Sequence, residues 1–233
     1  MIDIHNHILF GLDDGPEDIT SSIEMAKGCV ELGYKKVFCS PHVMSFYYEN
    51  NALKIEEKAQ MLREKLSENN INLELDVFAE VYLDETIYQR INNQEIPILG
   101  NKILVEGPLS GDWGGYVDEM LFFLKTKNIQ PIIAHIERYD QFHKKIDQVW
   151  DQKNDGAQLQ ANILSILGYY GTSAKECMET LLKEKLIDYL ATDMHSPDVS
   201  VTLYRKAMAE IKELIGEEQF TILSGAKIND DLE

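Results

Sequence analysis

Positive charge is what this chain is short of: 22 Lys and Arg stand against 40 Asp and Glu in 233 residues, a formal net charge of −18. Nucleic acid and anionic membrane are bound through clustered Lys and Arg, so such a surface should repel both. An anionic substrate would need something locally positive to receive it, and bound metal ions would serve. Cysteine is sparse as well. Cys29, Cys39 and Cys177 are odd in number, none lies in a CxxC pair, and each sits among apolar residues. That favours buried reduced thiols over a disulfide or a nucleophile. No run approaches the roughly 18 apolar residues of a membrane span, and the N-terminus has no basic stretch leading into an apolar one. These absences point to a soluble cytoplasmic protein. No repeat, low-complexity tract or linker marks a domain boundary, so residues 1–233 read as a single domain. The closing Leu232-Glu233 reads as a cloning remnant and is given no structural weight.

What is present can build a sizeable core, with 44% hydrophobic and 27% charged residues. Short β-like runs alternate with longer helical ones. The strand candidates are Met1–His5, Lys35–Ser40, Leu73–Glu80, Lys102–Glu106, Gln130–His135, Ala157–Asn162 and Ile187–Asp193. The helix candidates are Asp18–Leu32, Asn51–Asn69, Tyr116–Asn128, Thr172–Glu184 and Val199–Ile215. In the first, Ile23, Ala26 and Val30 recur at helical spacing, and Gly33 follows where a helix end favours glycine. In the second, Leu53, Ala59, Leu62 and Leu66 define the apolar side. Strand–helix units with short connections predict an α/β fold with a parallel sheet, most simply a closed barrel, which a chain of roughly 200–250 residues accommodates.

The chemistry collects at the ends of the strands. His5 and His7 end the first, His42 follows the second, Glu80 and Glu106 end the next two, His135 ends "PIIAH", and Asp193 and His195 end "YLATDMH". Five of the six histidines therefore sit at or just beyond the C-terminal end of a β-run, the end at which parallel barrels carry their active sites. His143, in the charged stretch "QFHKKIDQ", stands outside the pattern and reads as a surface residue. Residues two apart on a strand share a face, so His5 with His7 and Asp193 with His195 can each address one ion. Imidazole and carboxylate suit Mn²⁺, Zn²⁺ or Fe²⁺, and with no thiolate in the set a structural zinc knot is disfavoured. A carboxylate between two histidine groups, such as Glu80, can bridge two metals about 3.5–4 Å apart. Taken singly, each feature has a plain alternative: Asp13-Asp14-Gly15 as a turn, the glutamates as loop starts, His42 as a capped surface residue. Their recurrence at the same end of nearly every strand is what favours a metal site.

The segments "DIHNHILFGLDDGP", "SPHV", "FAE", "LVE", "AHIERY" and "ATDMHS" occur in the order found in the polymerase and histidinol phosphatase (PHP) superfamily. Within it the chain most resembles the manganese-dependent protein tyrosine phosphatases of bacterial capsule and exopolysaccharide loci, over residues 1 to about 200. The resemblance implies a distorted (β/α)₇ TIM-like barrel holding three divalent metal ions, Mn²⁺ first, with Zn²⁺ or Fe as alternatives. It implies that His5, His7, Glu80 and Asp193 hold one metal; that Glu80, Glu106 and His135 hold a second, with Glu80 as bridge; and that Asp14, His42 and His195 hold a third. Arg138 would grip the substrate phosphate bidentately. Arg138, His42 and His195 are thus the candidate catalytic residues. Related sequences often carry another phosphate-binding arginine soon after the last DxH segment. Here none precedes Arg205, which reads as too far along its helix to substitute.

The chemistry so implied is attack on phosphorus by a metal-activated hydroxide. It needs no cysteine, in keeping with the absence of the HC-x₅-R loop of ordinary tyrosine phosphatases. Phenolate leaves readily (its pKa is about 10), so a strong general acid is dispensable, and the sequence does not choose one. Phe46, Tyr47 and Tyr48 follow His42 and could pack on a phosphotyrosine ring or simply cover the barrel rim; Trp113 and Tyr116 carry the same two readings. The resemblance gives the partner as a tyrosine-phosphorylated protein, the Tyr-rich tail of a bacterial autokinase that regulates polysaccharide export. Two other readings stay open: a phosphatase for a small phosphomonoester such as histidinol phosphate, and a non-catalytic, metal-stabilised binding module.

Overall fold

The computed structural model describes residues 1–143, 145–226 and 228; Leu232-Glu233 lies outside them. Among the described residues nine strands are laid down in chain order: β1 Ile2–Asn6, β2 Lys36–Cys39, β3 His42–Val43, β4 Glu74–Val77, β5 Glu80–Tyr82, β6 Lys102–Glu106, β7 Gln130–Ile133, β8 Gln158–Asn162 and β9 Tyr189–Ala191. The helices are α1 Ile19–Leu32, α2 Ala52–Glu68, α3 Ile87–Asn92, α4 Gly114–Thr126, α5 Ile146–Asn154, α6 Thr172–Lys183, α7 Val201–Ile215 and α8 Glu217–Thr221. The strands form a three-stranded sheet, β1-β2-β4, and a six-stranded curled sheet, β3-β5-β6-β7-β8-β9. Every pairing within them is parallel. This is an α/β fold in which the C-terminal ends of all strands point the same way. Asp193 N donates to His5 O (2.9 Å) and His7 N to Met194 O (3.0 Å), which brings the segment after β9 alongside the end of β1.

The helix ends have local causes. Asp18 caps α1 by accepting from Ser21 N (2.9 Å), and Gly33 closes it with a left-handed φ of 93°. Asn51 caps α2 in the same manner, accepting from Lys54 N. Each predicted stripe faces the core at all but one of its positions, with Ile23 and Ala26 of α1 and Ala59, Leu62 and Leu66 of α2 packed inward. On α1 the core receives Met25, Ala26, Cys29 and Leu32, while Val30 is largely exposed. On α2 Ile55, Ala59, Leu62 and Leu66 are buried, and Leu53 points to solvent. An apolar residue in the first turn of a helix need not face the core, because the entering chain sets the phase. The predicted strand Leu73–Glu80 is in fact two, β4 and β5, interrupted at Phe78–Ala79. The predicted Lys35–Ser40 strand likewise resumes as β3 after Ser40–Pro41. α5 begins in the charged stretch after His143, to which the sequence pattern assigns no element, with Val149 as its buried contact. His143 is no free surface residue: it is half-buried, and its Nε2 donates to Glu137 O (2.9 Å).

The hydrophobic core divides into a large shell between strands and helices and a smaller inner cluster. The inner one comprises Ile2, Ile4, Phe38, Phe78, Leu104, Ile132, Ala134, Tyr189, Ala191 and Ile228. Alternation along the strands sends one set of side chains outward to the helices and the other inward, and an irregularity in β1 between Asp3 and Asn6 lets Ile4 and His5 both turn inward. Inward residues are apolar near the strand starts and ionisable near the strand ends. All three cysteines are free and buried. Among the described residues no helix is long and apolar enough to cross a membrane.

Candidate metal centre

All ten predicted site residues are brought together where the strands end. β1 turns His5 and His7 inward on one face, with their Nε2 atoms 3.0 Å apart. β3 and β5 pair in register so that His42 lies directly opposite Glu80. Glu106 closes β6. His135 follows β7 and Asp193 follows β9, both in the left-handed region, at φ 31° and 50°. Such backbone is costly for residues with a Cβ and concentrates at functional sites. His195 stands two residues beyond Asp193 and stacks on His7, ring centroids 3.8 Å apart. Asp14 reaches His42 Nε2 (3.6 Å) and His195 Nε2 (3.4 Å) from the Asp13-Asp14-Gly15 turn. A Cβ at Gly15 would collide with the carbonyl oxygen of His7, so the turn approaches β1 this closely only with glycine there.

Glu80 is the hub. Its Oε2 lies 3.1 Å from His5 Nε2, 3.2 Å from His7 Nε2 and 3.1 Å from His42 Nδ1. Its Oε1 lies 2.9 Å from His135 Nε2, which is also 3.4 Å from Glu106 Oε1. Donor atoms close enough to share an ion fall into three overlapping groups: His5, His7, Glu80 and Asp193; His7, Asp14, His42 and His195; and His42, Glu80 and Glu106. The first coincides with the predicted ligand set. The second adds His7 to the predicted third set, and the third draws in His42 beside the pair expected to work with His135.

Two observations test whether these residues fit cations. His5 Nδ1 bonds Gln160 Oε1 (3.0 Å) and His7 Nδ1 bonds the Asp13 carboxylate (2.7 Å), both acceptors. In its neutral, ligating form each ring therefore keeps its proton on Nδ1, and the two Nε2 lone pairs then face one another. Glu80 Oε2, buried among three imidazole nitrogens, has no hydrogen-bond partner. Converging lone pairs around an orphaned carboxylate oxygen require positive charge between them, and an all-nitrogen-and-oxygen donor set suits Mn, Zn or Fe. The residues present fit divalent metal ions.

Proton affinities in the cluster are pulled apart. Burial works against charging His5, but Glu80 and Asp193 outweigh it and raise the imidazole to about 9. Asp13 and Glu80 raise His7 against the same burial. For His42 and His135 burial wins and the rings are easier to deprotonate than usual. Against burial, His5 and His42 hold Glu80 well below the usual carboxylate range. Asp193 is likewise depressed, by His5 and His195. The His195 contact lowers Asp14 to about 2. Glu106 moves the opposite way, raised by burial and then by the charges of Glu80 and Asp193.

Several supporting residues escaped the sequence reading. Asp13, taken only as part of a turn, orients His7 and accepts from His42 N (2.9 Å). Gln160 and Asn162, on the inward face of β8, contact His5 and Asp193 respectively. Asp3, which the sequence offers either as a partner orienting a ligand histidine or as an ordinary strand start, does not touch a histidine ring. It accepts from Thr192 N (3.0 Å) and Asn6 Nδ2 (3.0 Å), and so anchors the backbone just before Asp193. The available signal was alternation: in "QLQAN" polar Gln158, Gln160 and Asn162 occupy one face, as His5 and His7 do in β1.

The centre opens into a cavity of about 420 Å³. Asp14, His42, Glu80, Glu106, His135, Asp193 and His195 line it, while His5 and His7 lie fully buried beneath. Arg138 is the lone Arg or Lys on that lining among the described residues. Its Nη1 donates to Asp193 Oδ2 (3.2 Å) and its guanidinium lies 4.4 Å over the Tyr170 ring. Arg205 is elsewhere, donating to Glu31 on the outer surface. Of the aromatics, Tyr48 stacks on His42 (5.5 Å, 12°) and lines the cavity, whereas Phe46 and Tyr47 are exposed. Trp113 is neither rim nor ligand platform. It is buried against Tyr139 and Phe142, with its indole N–H on Pro108 O.

With fold and site in view, the comparison with known proteins is direct. The chain belongs to the capsular polysaccharide synthesis family CpsB/CapC, whose model matches residues 1–227. It is 30% identical over 198 residues to the putative tyrosine-protein phosphatase CapC of Staphylococcus aureus, covering 84% of this chain and 77% of that protein. It is 28% identical over 220 residues to the tyrosine-protein phosphatase YwqE of Bacillus subtilis (strain 168), covering 94% and 86%. Among solved structures, one reported for YwqE from Bacillus subtilis and CpsB from Streptococcus pneumoniae, unique metal-dependent tyrosine phosphatases, superposes with a TM-score of 0.88 at 28% identity, covering 100% of this chain and 93% of that one. Histidinol phosphate phosphatase from Lactococcus lactis shares the fold at a TM-score of 0.60 and 11% identity, over 92% and 94% of the two chains.

Proposed function

We propose that this chain is a metal-dependent protein-tyrosine phosphatase, acting on a phosphotyrosine protein that serves capsular or exopolysaccharide synthesis. The observation that carries the proposal is the convergence of nine imidazole and carboxylate groups and one arginine on a cavity walled by tyrosines. The named activities of CapC and YwqE support it. In this reading His5, His7, Glu80 and Asp193 hold one ion, Glu80, Glu106 and His135 a second, and Asp14, His42 and His195 a third, with Mn²⁺ the physiological metal. Bound there, the ions supply Lewis-acid charge and a water nucleophile active near neutral pH. Arg138, braced by Asp193, presents its fork of N–H donors to two phosphate oxygens. Tyr48, Tyr169 and Tyr170 receive the phenyl ring. The thiols take no part: burial pushes Cys177 up to about 12 and raises Cys29 and Cys39 too.

The proposal includes the finer architecture and setting. We read residues 1–233 as one domain and the two sheets as one distorted (β/α)₇ TIM-like barrel. In support, β2 leads into β3 and β4 into β5 across two-residue interruptions, and the Asp193–His5 and His7–Met194 bonds draw β9 to β1. The partner is the Tyr-rich tail of a tyrosine autokinase, and three free, buried cysteines accord with a reducing cytoplasm.

The test is turnover by Mn²⁺-supplemented protein of a phosphotyrosine peptide and of histidinol phosphate, side by side. Turnover of the peptide, lost in His135→Ala, is expected. Preference for histidinol phosphate would move the substrate to small phosphomonoesters. Turnover of neither would leave a metal-stabilised binding module.

A further inference from the structure

The donor and acceptor chemistry around β8 determines more than the ligand list does. Asp193 Oδ2 can only accept. It takes Arg138 Nη1 on one side and Asn162 Nδ2 on the other (2.6 Å). The Asn162 amide is therefore turned with its oxygen away from Asp193, and that oxygen accepts from Gln160 Nε2 (2.8 Å). Gln160 is oriented in its turn: its amide nitrogen is spent on Asn162, and its oxygen accepts from the backbone N–H of His135 (2.8 Å), a group that can only donate. The same oxygen lies 3.0 Å from His5 Nδ1. Neutral His5 is left one choice of tautomer, a proton on Nδ1 and a lone pair on Nε2 aimed at His7, Glu80 and Asp193. All of Asp193, Asn162, Gln160, His135 and His5 are buried, so water offers no alternative partner.

We infer that Gln160 and Asn162 are positioning residues: a polarised amide pair through which the Asp193 carboxylate sets the tautomer of His5, so that two ligands of one ion are prepared together. The inference rests on the metal reading above. Glu137 steadies the pair, its Oε1 accepting from Asn162 N (3.0 Å). Asp193 also carries Arg138, so the same chain joins the metal ligands to the phosphate grip. Tautomer control by a partner on the far ring nitrogen ordinarily changes metal affinity by about 10–100-fold.

The experiment is a Mn²⁺ titration of chelator-stripped, full-length protein by calorimetry, for wild type, Gln160→Met, Gln160→Glu and Asn162→Leu. Thermal melting shows which variants fold. Gln160→Met preserves volume and removes the acceptor, and its Mn²⁺ dissociation constant is expected to rise by about 10–100-fold. Gln160→Glu retains an acceptor for His135 N–H and His5 Nδ1–H but turns an oxygen instead of an N–H donor on Asn162 Oδ1, so its dissociation constant is expected to fall between those of wild type and Gln160→Met. A merely space-filling role predicts the reverse order, with Met tolerated and the buried charge of Glu not. That order, or a wild-type constant for Gln160→Met, overturns the inference. If the Glu variant does not fold, Asn162→Leu decides: it leaves Gln160 without its orienting partner, so about tenfold loosening supports the coupling and wild-type binding overturns it. Failure of wild type itself to bind Mn²⁺ overturns the metal reading instead.

Discussion

Arg138 combines two tasks that pull in different directions. It neutralises part of Asp193, and it must still offer donors to a phosphate in a cavity whose other polar residues are mostly acidic or imidazole. Guanidinium can do both because its five N–H groups lie in a rigid plane. Arg138→Lys keeps the charge and loses the fork, so kcat/KM on a phosphotyrosine peptide is expected to fall about tenfold. Arg138→Ala is expected to lose about 10²–10³-fold, roughly 3–4 kcal/mol of transition-state binding. Steady-state kinetics on both variants measures this, and an alanine variant within threefold of wild type would remove Arg138 from the phosphate site. Residues with a charge or an imidazole were legible in the sequence because their chemistry is unusual at a strand end. Gln160 and Asn162 were not, since an amide in a strand has many ordinary uses, and Asp3 was legible only as one of two alternatives, since a carboxylate at a strand start has many uses too.

At the scale of the element, the short helical turn after β7 holds a titrating group that is no part of the ligand set. Glu137 is buried, with Oε1 accepting from Ser165 Oγ and Asn162 N, and with Oε2 unpartnered. Burial pushes its carboxyl up to about 7 from 4.5. The folded protein thus binds that proton more tightly than the unfolded chain does. Stability from this group is complete below about pH 4.5 and declines as pH rises to about 7, a loss of about 3 kcal/mol. Glu137→Gln removes the titration. Denaturant unfolding at pH 5 and pH 8 should show the variant gaining on wild type at the higher pH, and an equal difference at both would refute the assignment. The same scale shows where periodicity misleads. The α1 and α2 caps were readable from Asp18, Gly33 and Asn51, because capping is local chemistry. The burial phase of Leu53 and Val30 was not, because helix rotation is set by the sheet beneath.

For the whole molecule, the net charge of −18 surrounds a centre built to hold cations. Metal binding stabilises the folded state by mass action, about 2.7 kcal/mol at a free concentration 100 times the dissociation constant. Chelator-stripped protein should therefore melt several degrees below Mn²⁺-loaded protein, and identical melting curves would count against the site. The charge also opposes acidic substrates at long range. Raising ionic strength should increase kcat/KM for an acidic phosphopeptide and decrease it for a basic one, because screening acts on attraction and repulsion alike. A stopped assay over a salt series distinguishes them.

Alternating strands and helices, ligand-type residues at the strand ends and the scarcity of Lys and Arg were determined by the sequence alone. Each is a local or compositional property that needs no knowledge of what lies across the sheet. Which histidine shares an ion with which carboxylate, that Asp13 and Gln160 choose ring tautomers, and that Trp113 is core while Tyr48 lines the cavity were decided by tertiary structure. Those outcomes depend on atoms brought within about 3 Å from positions up to 189 residues apart, as in the bond from Thr192 to Asp3. Spacing along the chain carries no record of such a meeting; strand register and the inward turn of each side chain produce it.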